Sequence, residues 1–182
     1  MAYRNGTYIA FHAEGKTDPT ASDIKYYRIL KMWHENDDID FKFVNSHDKA
    51  AAVRDSSLKA TLRSSLLERL RNSKNFVLII GEKTRYDTDW VPFEVTQAID
   101  SYSLPIIAVY TGVTGRITNP SNYSYLWPEA FAARVRNNKA RAIHIPFRQG
   151  LIDKAIRQYH LNNMPGWPNT IYNDQTYSSF GL

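Results

Sequence analysis

A run of five apolar residues, Phe76-Val77-Leu78-Ile79-Ile80, constrains the fold of this chain more than any other segment. It is continuously apolar, rich in β-branched residues and closed by Gly81. Such a run is typical of a strand that is covered on both faces, as in the parallel sheets of α/β proteins. The sequence therefore predicts a parallel sheet, flanked by helices, with this strand near its centre.

Four other apolar segments predict further strands, and helical patterns separate them. These strands are predicted at 8–11, 41–44, 105–110 and 142–145. The helices are predicted at 21–36, 58–70, 89–102, 128–137 and 149–160. Strands that alternate with helices indicate βαβ units with right-handed crossovers. We therefore predict an α/β, flavodoxin-like domain with a five-stranded, mainly parallel sheet and helices on both faces.

Length and composition fit one domain in the cytoplasm. The 182 residues are near the common size of a single domain, which we expect to span 1–160, with a C-terminal extension at 161–182 packing on its surface. The chain has no cysteine, so disulfides, thiol nucleophiles and cysteine-ligated metals are excluded. No uncharged apolar run is long enough to span a membrane, and the first residues do not resemble a signal peptide. We expect a cytoplasmic location and no membrane partner.

The net charge of +5 is concentrated in the last 82 residues, which hold eight basic and three acidic residues. Five of the bases lie between Arg134 and Arg148. This cluster fits either a nucleic-acid or phosphate-binding patch or a solvated helix end and loop. We favour the second because no nucleic-acid-binding motif accompanies it. The five histidines lack the spacing of metal ligands, so we expect neither a nucleic-acid partner nor a metal.

Architecture limits where a site can lie. Ligands of doubly wound sheets bind beyond the carboxyl ends of the strands. In this sequence those ends lead into 11–20, 45–55, 81–90 and the long loop predicted at 111–127.

The helix predicted at 89–102 carries the most informative pair of residues, Trp90 and Glu94. Thr88 or Asp89 is its expected N-cap. Trp90 and Glu94 are four residues apart, so they lie one turn from each other at the edge of the apolar stripe. That position would give a partly desolvated carboxylate and a flat wall for a base or a nicotinamide ring. The spacing alone equally fits a boundary aromatic residue and a solvated acid.

Four segments together resemble TIR domains. They are the strand Tyr8-Ile9-Ala10-Phe11-His12, the helix end Leu70-Arg71-Asn72-Ser73, the run Val77-Leu78-Ile79-Ile80-Gly81-Glu82-Lys83-Thr84 and the block Trp90-Val91-Pro92-Phe93-Glu94. The resemblance is greatest to the TIR-like subunit of bacterial Thoeris anti-phage systems and covers about residues 3–147. At Ala10 the sequence departs from the many TIR domains that have Ser in this strand.

The resemblance implies an activity and a set of site residues. Enzymatic TIR domains cleave NAD between nicotinamide and ribose and form an isomer of cyclic ADP-ribose, so NAD is a substrate and no cofactor is implied. Glu94 occupies the position of the catalytic glutamate. The implied substrate-binding residues are Phe11, His12, Asp48, Lys49, Gly81 and Trp90. The loop that contains Asp48 and Lys49 closes on the site in TIR domains and mediates their self-association.

The implied partners are NAD, other copies of the chain, an effector that senses the cyclic product, and a phage-derived activator. Two alternative functions remain open at this point. In the first, the chain acts without catalysis, as a TIR interaction module that assembles through 46–53. Less favoured is an enzyme similar to nucleoside deoxyribosyltransferases, which also use a carboxylate on a flavodoxin-like sheet.

Overall fold

A computed structural model describes residues 4–13, 23–38, 41 and 58–182 of the chain. The strands are β1 (Gly6–Ala10), β2 (Ser73–Ile80), β3 (Ile106–Tyr110) and β4 (Ala142–Pro146). The α-helices are α1 (Ile24–Glu35), α2 (Leu58–Arg71), α3 (Trp90–Thr96), α4 (Glu129–Arg136), α5 (Gln149–Gln158) and α6 (Asp174–Ser179). Short 3₁₀ helices lie at Thr84–Tyr86 and Pro120–Leu126. The predicted alternation of strands and helices is confirmed for these elements.

The four strands form one parallel sheet in the order β1-β2-β3-β4. β2 is an inner strand: Phe76 is paired with Tyr8 on one side and with Ile106 on the other. The prediction that the run 76–80 lies inside the sheet is confirmed.

Alternate residues of each strand contribute to two separate cores, as a pleated strand requires. On one face Tyr8, Phe76 and Tyr110 pack under α2, α3 and α4. On the other face Ile9 and Val77 pack under α1, α5 and the C-terminal residues. Burial of both faces explains why these strands read as continuous apolar runs.

The number of strands corrects the prediction of five. Among the described residues there are four, and none corresponds to the strand predicted at 41–44. Phe41 is buried but belongs to no strand, and its ring packs edge-on against Trp33 of α1. Residues 42–44 lie outside the described residues. Phe41 thus contributes to the core as a contact of α1. In the sequence, such a buried apolar residue looks the same as a residue of a strand.

The C-terminal residues extend the sheet at its β4 edge. Thr170 bonds to β4 in parallel: its N–H donates to the Ala142 carbonyl at 3.0 Å, and its own carbonyl accepts from the His144 N–H at 2.9 Å. Tyr172 and Tyr177 are buried in the core under α5. The segment that we expected on the surface therefore also pairs with a strand and fills part of a core.

The basic residues predicted to form a solvated cluster make specific intramolecular contacts. Arg134 pairs with Asp100, and Arg136 pairs with Glu129. The guanidinium groups of Arg141 and Arg148 donate to backbone carbonyls at 2.6 and 3.1 Å. These contacts give four of the five bases a structural use.

No helix in the described ranges is both long and apolar enough to cross a membrane.

Candidate active site

Glu94 lies in the interior between α3 and β1, deeper than the helix edge predicted for it. Its residue surface is 4% exposed. The Tyr8 hydroxyl, itself buried on β1, donates to Glu94 Oε1 at 2.7 Å. Tyr8 is in turn stacked on Phe76, with ring centroids 5.2 Å apart and planes at 3°. A carboxyl group on one helix is thus held from the neighbouring strand by a rigid aromatic side chain.

Burial controls the protonation of this carboxyl group. Loss of hydration raises the pKa of Glu94 to about 8, and the negative charge of Asp87 raises it too. The Tyr8 hydrogen bond and the positive charge of Arg69 act in the opposite direction. Glu94 is therefore mostly protonated at pH 7 in the ligand-free protein, and a nearby cation would favour its ionisation.

Asp87 sets the start of the helix that carries Glu94. Its Oδ1 accepts hydrogen bonds from the backbone N–H groups of Asp89 and Trp90, both at 3.0 Å. Neither Thr88 nor Asp89 acts as the expected side-chain cap, since Asp89 makes no capping hydrogen bond and Asp87 occupies the donors. α3 then continues as a π-helical turn, Gln97–Ser101, before β3.

His12 is brought to the same place from β1. Its Nδ1 lies 2.9 Å from Asp87 Oδ2, and the two side chains are 15% and 9% exposed. The second carboxylate oxygen of Asp87 therefore links the carboxyl end of β1 to the start of α3. His12, Asp87 and Glu94 form one polar cluster at this edge of the sheet.

The predicted aromatic residues lie in different places. Trp90, in the first turn of α3, is partly buried against the core of its own face and contacts the Phe93 ring edge-on. Phe11 packs against the opposite core, where it stacks on Tyr27 with centroids 4.8 Å apart. Trp90 thus lies on the same helix as Glu94, whereas Phe11 contacts the α1 side.

Gly81 has a structural use at the end of β2. A Cβ atom there would lie 2.1 Å from Asp23 Oδ1, so only glycine lets this carboxylate approach. The Gly81 N–H donates to the Thr84 hydroxyl at 2.7 Å, and that hydroxyl donates to Asp23 Oδ2 at 2.7 Å. This network explains the Ile-Gly-x-x-Thr pattern as a turn that fixes the start of α1 beside β2.

Two predicted substrate-binding residues, Asp48 and Lys49, lie outside the described residues, so their predicted role stays a prediction. The same applies to the interaction segment at 46–53.

Sequence reasoning missed Tyr8 and Asp87. Tyr8 reads as one more apolar residue of a strand, and only its contact across the fold shows what its hydroxyl does. Asp87 carried a signal, because an Asp just before a helix is a strong N-cap candidate. Thr88 and Asp89 carried the same signal, and local preference could not choose among the three.

A groove of about 460 Å³ opens beyond β2 and β3, and His12, Asp87 and Glu94 are not among its lining residues. Its walls include Lys83, Arg85, Tyr86, Tyr123 and Tyr125. Arg85 bridges it: the guanidinium donates to the Tyr125 carbonyl at 3.0 Å and lies 4.5 Å from the Tyr86 ring centroid. The residues after β3 thus form part of this edge of the sheet, where the architecture placed a site.

Within the described part of the chain, no three His, Cys, Asp or Glu side chains are grouped so that they could hold a metal ion.

One comparison with known proteins identifies a family. A family model described as "Thoeris protein ThsB, TIR-like domain" matches residues 8–115. The match covers more than half of the 182 residues and contains Tyr8, His12, Asp87 and Glu94. β4, α5 and the C-terminal residues lie beyond it.

Proposed function

Because the chain belongs to the TIR-like domain family of the Thoeris protein ThsB, we propose that it is the NAD-cleaving enzyme of a Thoeris defence system. It releases nicotinamide from NAD and joins C1 of the freed ribose to a hydroxyl of the same molecule. The product is an isomer of cyclic ADP-ribose, which activates a separate effector protein. NAD is the substrate, and no further cofactor takes part.

Glu94 is the observation that carries this proposal. A carboxyl group that is 4% exposed costs folding free energy, because burial disfavours its charged form. An amide side chain would accept the Tyr8 hydrogen bond without a buried charge, and so at lower cost to the fold. Groups retained in this way, with a strongly displaced pKa, are characteristic of functional sites.

The chemistry fits one carboxylate. Nicotinamide is cationic in NAD and leaves as a neutral molecule, so the leaving group needs no strong acid. The ribose passes through an oxocarbenium-like state, which a nearby carboxylate stabilises electrostatically. Oε1 of Glu94 is occupied by Tyr8, and in the described residues Oε2 has no hydrogen-bond partner. Oε2 is thus the oxygen that would meet the ribose.

The remaining roles are proposed for the other site residues. The Trp90 indole, one turn before Glu94, stacks on a ring of the substrate. His12 lies at the same edge of the sheet and contacts the ribose whose C1 reacts. Phe11, Gly81, Asp48 and Lys49 complete the pocket as the family resemblance implies, and self-association or a phage-derived activator brings the enzyme into its active form.

The test is the fate of NAD with three proteins at high concentration, with and without lysate from phage-infected cells. The wild type should release nicotinamide and form a product with the mass of cyclic ADP-ribose, measured by chromatography and mass spectrometry. Glu94→Gln should form neither, whereas Glu68→Gln, a matched change at an exposed carboxylate near the start of β2, should behave like the wild type. Intact NAD in every sample would favour the interaction module. Cleavage of nucleosides in preference to NAD would favour the transferase.

A further inference from the structure

Asp87 uses both of its carboxylate oxygens, and each serves a different part of the site. Oδ1 accepts from the first backbone N–H groups of α3, and Oδ2 meets His12 Nδ1 at 2.9 Å. With only 9% of its side chain exposed, Asp87 is held in one orientation by these contacts. His12 is therefore held in one orientation as well.

The contact also fixes the tautomer of His12. A carboxylate oxygen only accepts hydrogen bonds, so His12 Nδ1 must carry the proton and donate it to Asp87. The lone pair of the neutral ring then lies on Nε2. Among the residues that the structure describes, none forms a hydrogen bond with Nε2.

Resting this inference on the proposed NAD cleavage, we propose that His12 Nε2 accepts the proton of the attacking hydroxyl. Asp87 is the positioning residue that holds His12 in the required tautomer. The bond between the nicotinamide nitrogen and ribose C1 breaks, and its electron pair leaves with neutral nicotinamide. The hydroxyl oxygen forms a new bond to the same carbon. Its proton passes to Nε2 and from there to solvent, so one proton is released for each NAD consumed.

Asp87 couples this proton acceptor to Glu94. The same side chain fixes the first turn of α3, on which Glu94 follows one turn later, and its charge acts on the Glu94 carboxyl group. Asp87 therefore positions both His12 and Glu94, so that both groups can act on the same ribose.

Asp87→Asn separates the two uses of Asp87. An asparagine is as good an N-cap as aspartate, so its oxygen keeps the cap of α3. Its NH₂ group then faces His12 Nδ1, which has to accept. The proton of His12 moves to Nε2, and the base is lost while the fold is retained. In Ser-His-Asp enzymes, replacing the orienting aspartate by asparagine likewise leaves the geometry intact and the histidine in the wrong tautomer.

Nicotinamide exchange distinguishes this role from a general structural one. Incorporation of labelled nicotinamide into NAD breaks and remakes the same C–N bond and moves no hydroxyl proton. Product formation does require that proton to leave. Asp87→Asn and His12→Gln should therefore slow product formation about 100- to 10,000-fold, the range of general-base catalysis, and should slow exchange far less than product formation. Glu68→Gln, at an exposed carboxylate on α2, should change neither rate.

The tautomer is tested without any activity, by ¹⁵N NMR of the histidine rings. His144 is an internal reference, because its Nδ1 accepts from Tyr110 and its Nε2 faces the Pro168 carbonyl at 2.9 Å. The wild type should show His12 as the Nδ1–H form and His144 as the Nε2–H form. In Asp87→Asn only His12 should change.

The outcomes separate the two claims. An Nε2–H form of His12 in the wild type, or equal losses of exchange and product formation in Asp87→Asn, overturns the inference and leaves NAD cleavage intact. A wild type that neither exchanges nicotinamide nor consumes NAD overturns the proposed function and the inference with it.

Discussion

At the scale of single residues, the centre of the site is a neutral acid surrounded by three groups that act on it. Tyr8 donates to Glu94, Arg69 offers positive charge, and Asp87 opposes ionisation. Burial outweighs the favourable contacts, so the balance lies on the protonated side at neutral pH. A ligand that brings a positive charge close to Glu94 would lower the pKa of this carboxyl group and favour its ionised form.

Glu94→Gln should stabilise the protein in alkaline solution. The pKa of Glu94 is raised from 4.5 to about 8, so the folded state holds a proton that the unfolded state has lost. The contribution of Glu94 to stability is complete below pH 4.5 and is lost as pH rises to 8, at ~1.4 kcal/mol per pH unit. We expect Glu94→Gln to raise the free energy of unfolding by about 4 kcal/mol at pH 8 and by less than about 1 kcal/mol at pH 5. Urea unfolding at both pH values measures this, and a pH-independent difference would contradict it.

Tyr8→Phe should shift the pH dependence of catalysis. The wild-type kcat/KM should rise with pH to about 8, because the free enzyme must ionise Glu94. Without the Tyr8 hydroxyl the pKa of Glu94 rises further, by about one unit for a hydrogen bond to a charged group. We expect about a tenfold loss of kcat/KM at pH 7 that is recovered at higher pH. A loss that is equal at all pH values would mean that Tyr8 only supports packing.

At the scale of elements, the alternation of strands and helices could be predicted because it depends on local periodicity. The predicted bounds of the helices and of four strands agree with the structure to within a few residues. The strand predicted at 41–44 was wrong at Phe41, whose neighbour in space is Trp33 rather than a strand. The sequence shows that such a residue is apolar but does not indicate which element it contacts.

The residues of the candidate site likewise fall into those that the sequence could predict and those that it could not. Trp90 and Glu94 could be found because they lie on one helix at a spacing that resembles a known family, and that family is confirmed over 8–115. Tyr8 and Asp87 could not be assigned, because their roles arise from contacts with residues 86 and 75 positions away. Sequence periodicity describes one element at a time.

The loop predicted at 111–127 is tied to the sheet by a buried chain of hydrogen bonds. Trp127 Nε1 donates to the Tyr110 hydroxyl at 2.6 Å, and that hydroxyl donates to His144 Nδ1 at 2.7 Å. Burial lowers the pKa of His144 to about 4, which keeps the ring neutral and able to accept. The neighbouring Tyr123 contacts Tyr110 through its ring, with centroids 5.3 Å apart.

Tyr110→Phe should destabilise the protein strongly. It leaves two buried groups without partners, and each costs about 1–3 kcal/mol. We expect the free energy of unfolding to fall by about 2–5 kcal/mol, whereas Tyr123→Phe, which keeps the ring contact, should cost less than about 1 kcal/mol. Denaturant unfolding compares the two variants. Equal values would show that the chain of hydrogen bonds contributes nothing specific.

At the scale of the whole molecule, the C-terminal residues join parts of the chain that lie far apart in sequence. Thr170 covers the β4 edge, and Tyr177 reaches the buried Ile117 of the loop after β3. A covered edge cannot add a strand from another molecule. Self-association of the proposed kind therefore uses surfaces other than this edge.

Two aromatic residues of this segment provide a matched test of its contribution. Tyr177 is 1% exposed and Trp167 is 73% exposed. Tyr177→Ala should lower the free energy of unfolding by about 3–5 kcal/mol, as for other buried aromatic residues. Trp167→Ala should change it by no more than about 0.5 kcal/mol. Thermal unfolding of both variants gives the comparison, and a small effect of Tyr177→Ala would mean that the segment detaches without loss to the core.

We propose that the chain keeps Glu94 buried, at a cost in stability, because NAD cleavage requires this carboxyl group. The most direct test is the rate of nicotinamide release by Glu94→Gln, on a sample whose unfolding shows that it is folded and more stable than the wild type at pH 8. We expect Glu94→Gln to release nicotinamide at least about 100-fold more slowly than the wild type. Release at the wild-type rate from that more stable protein would contradict it.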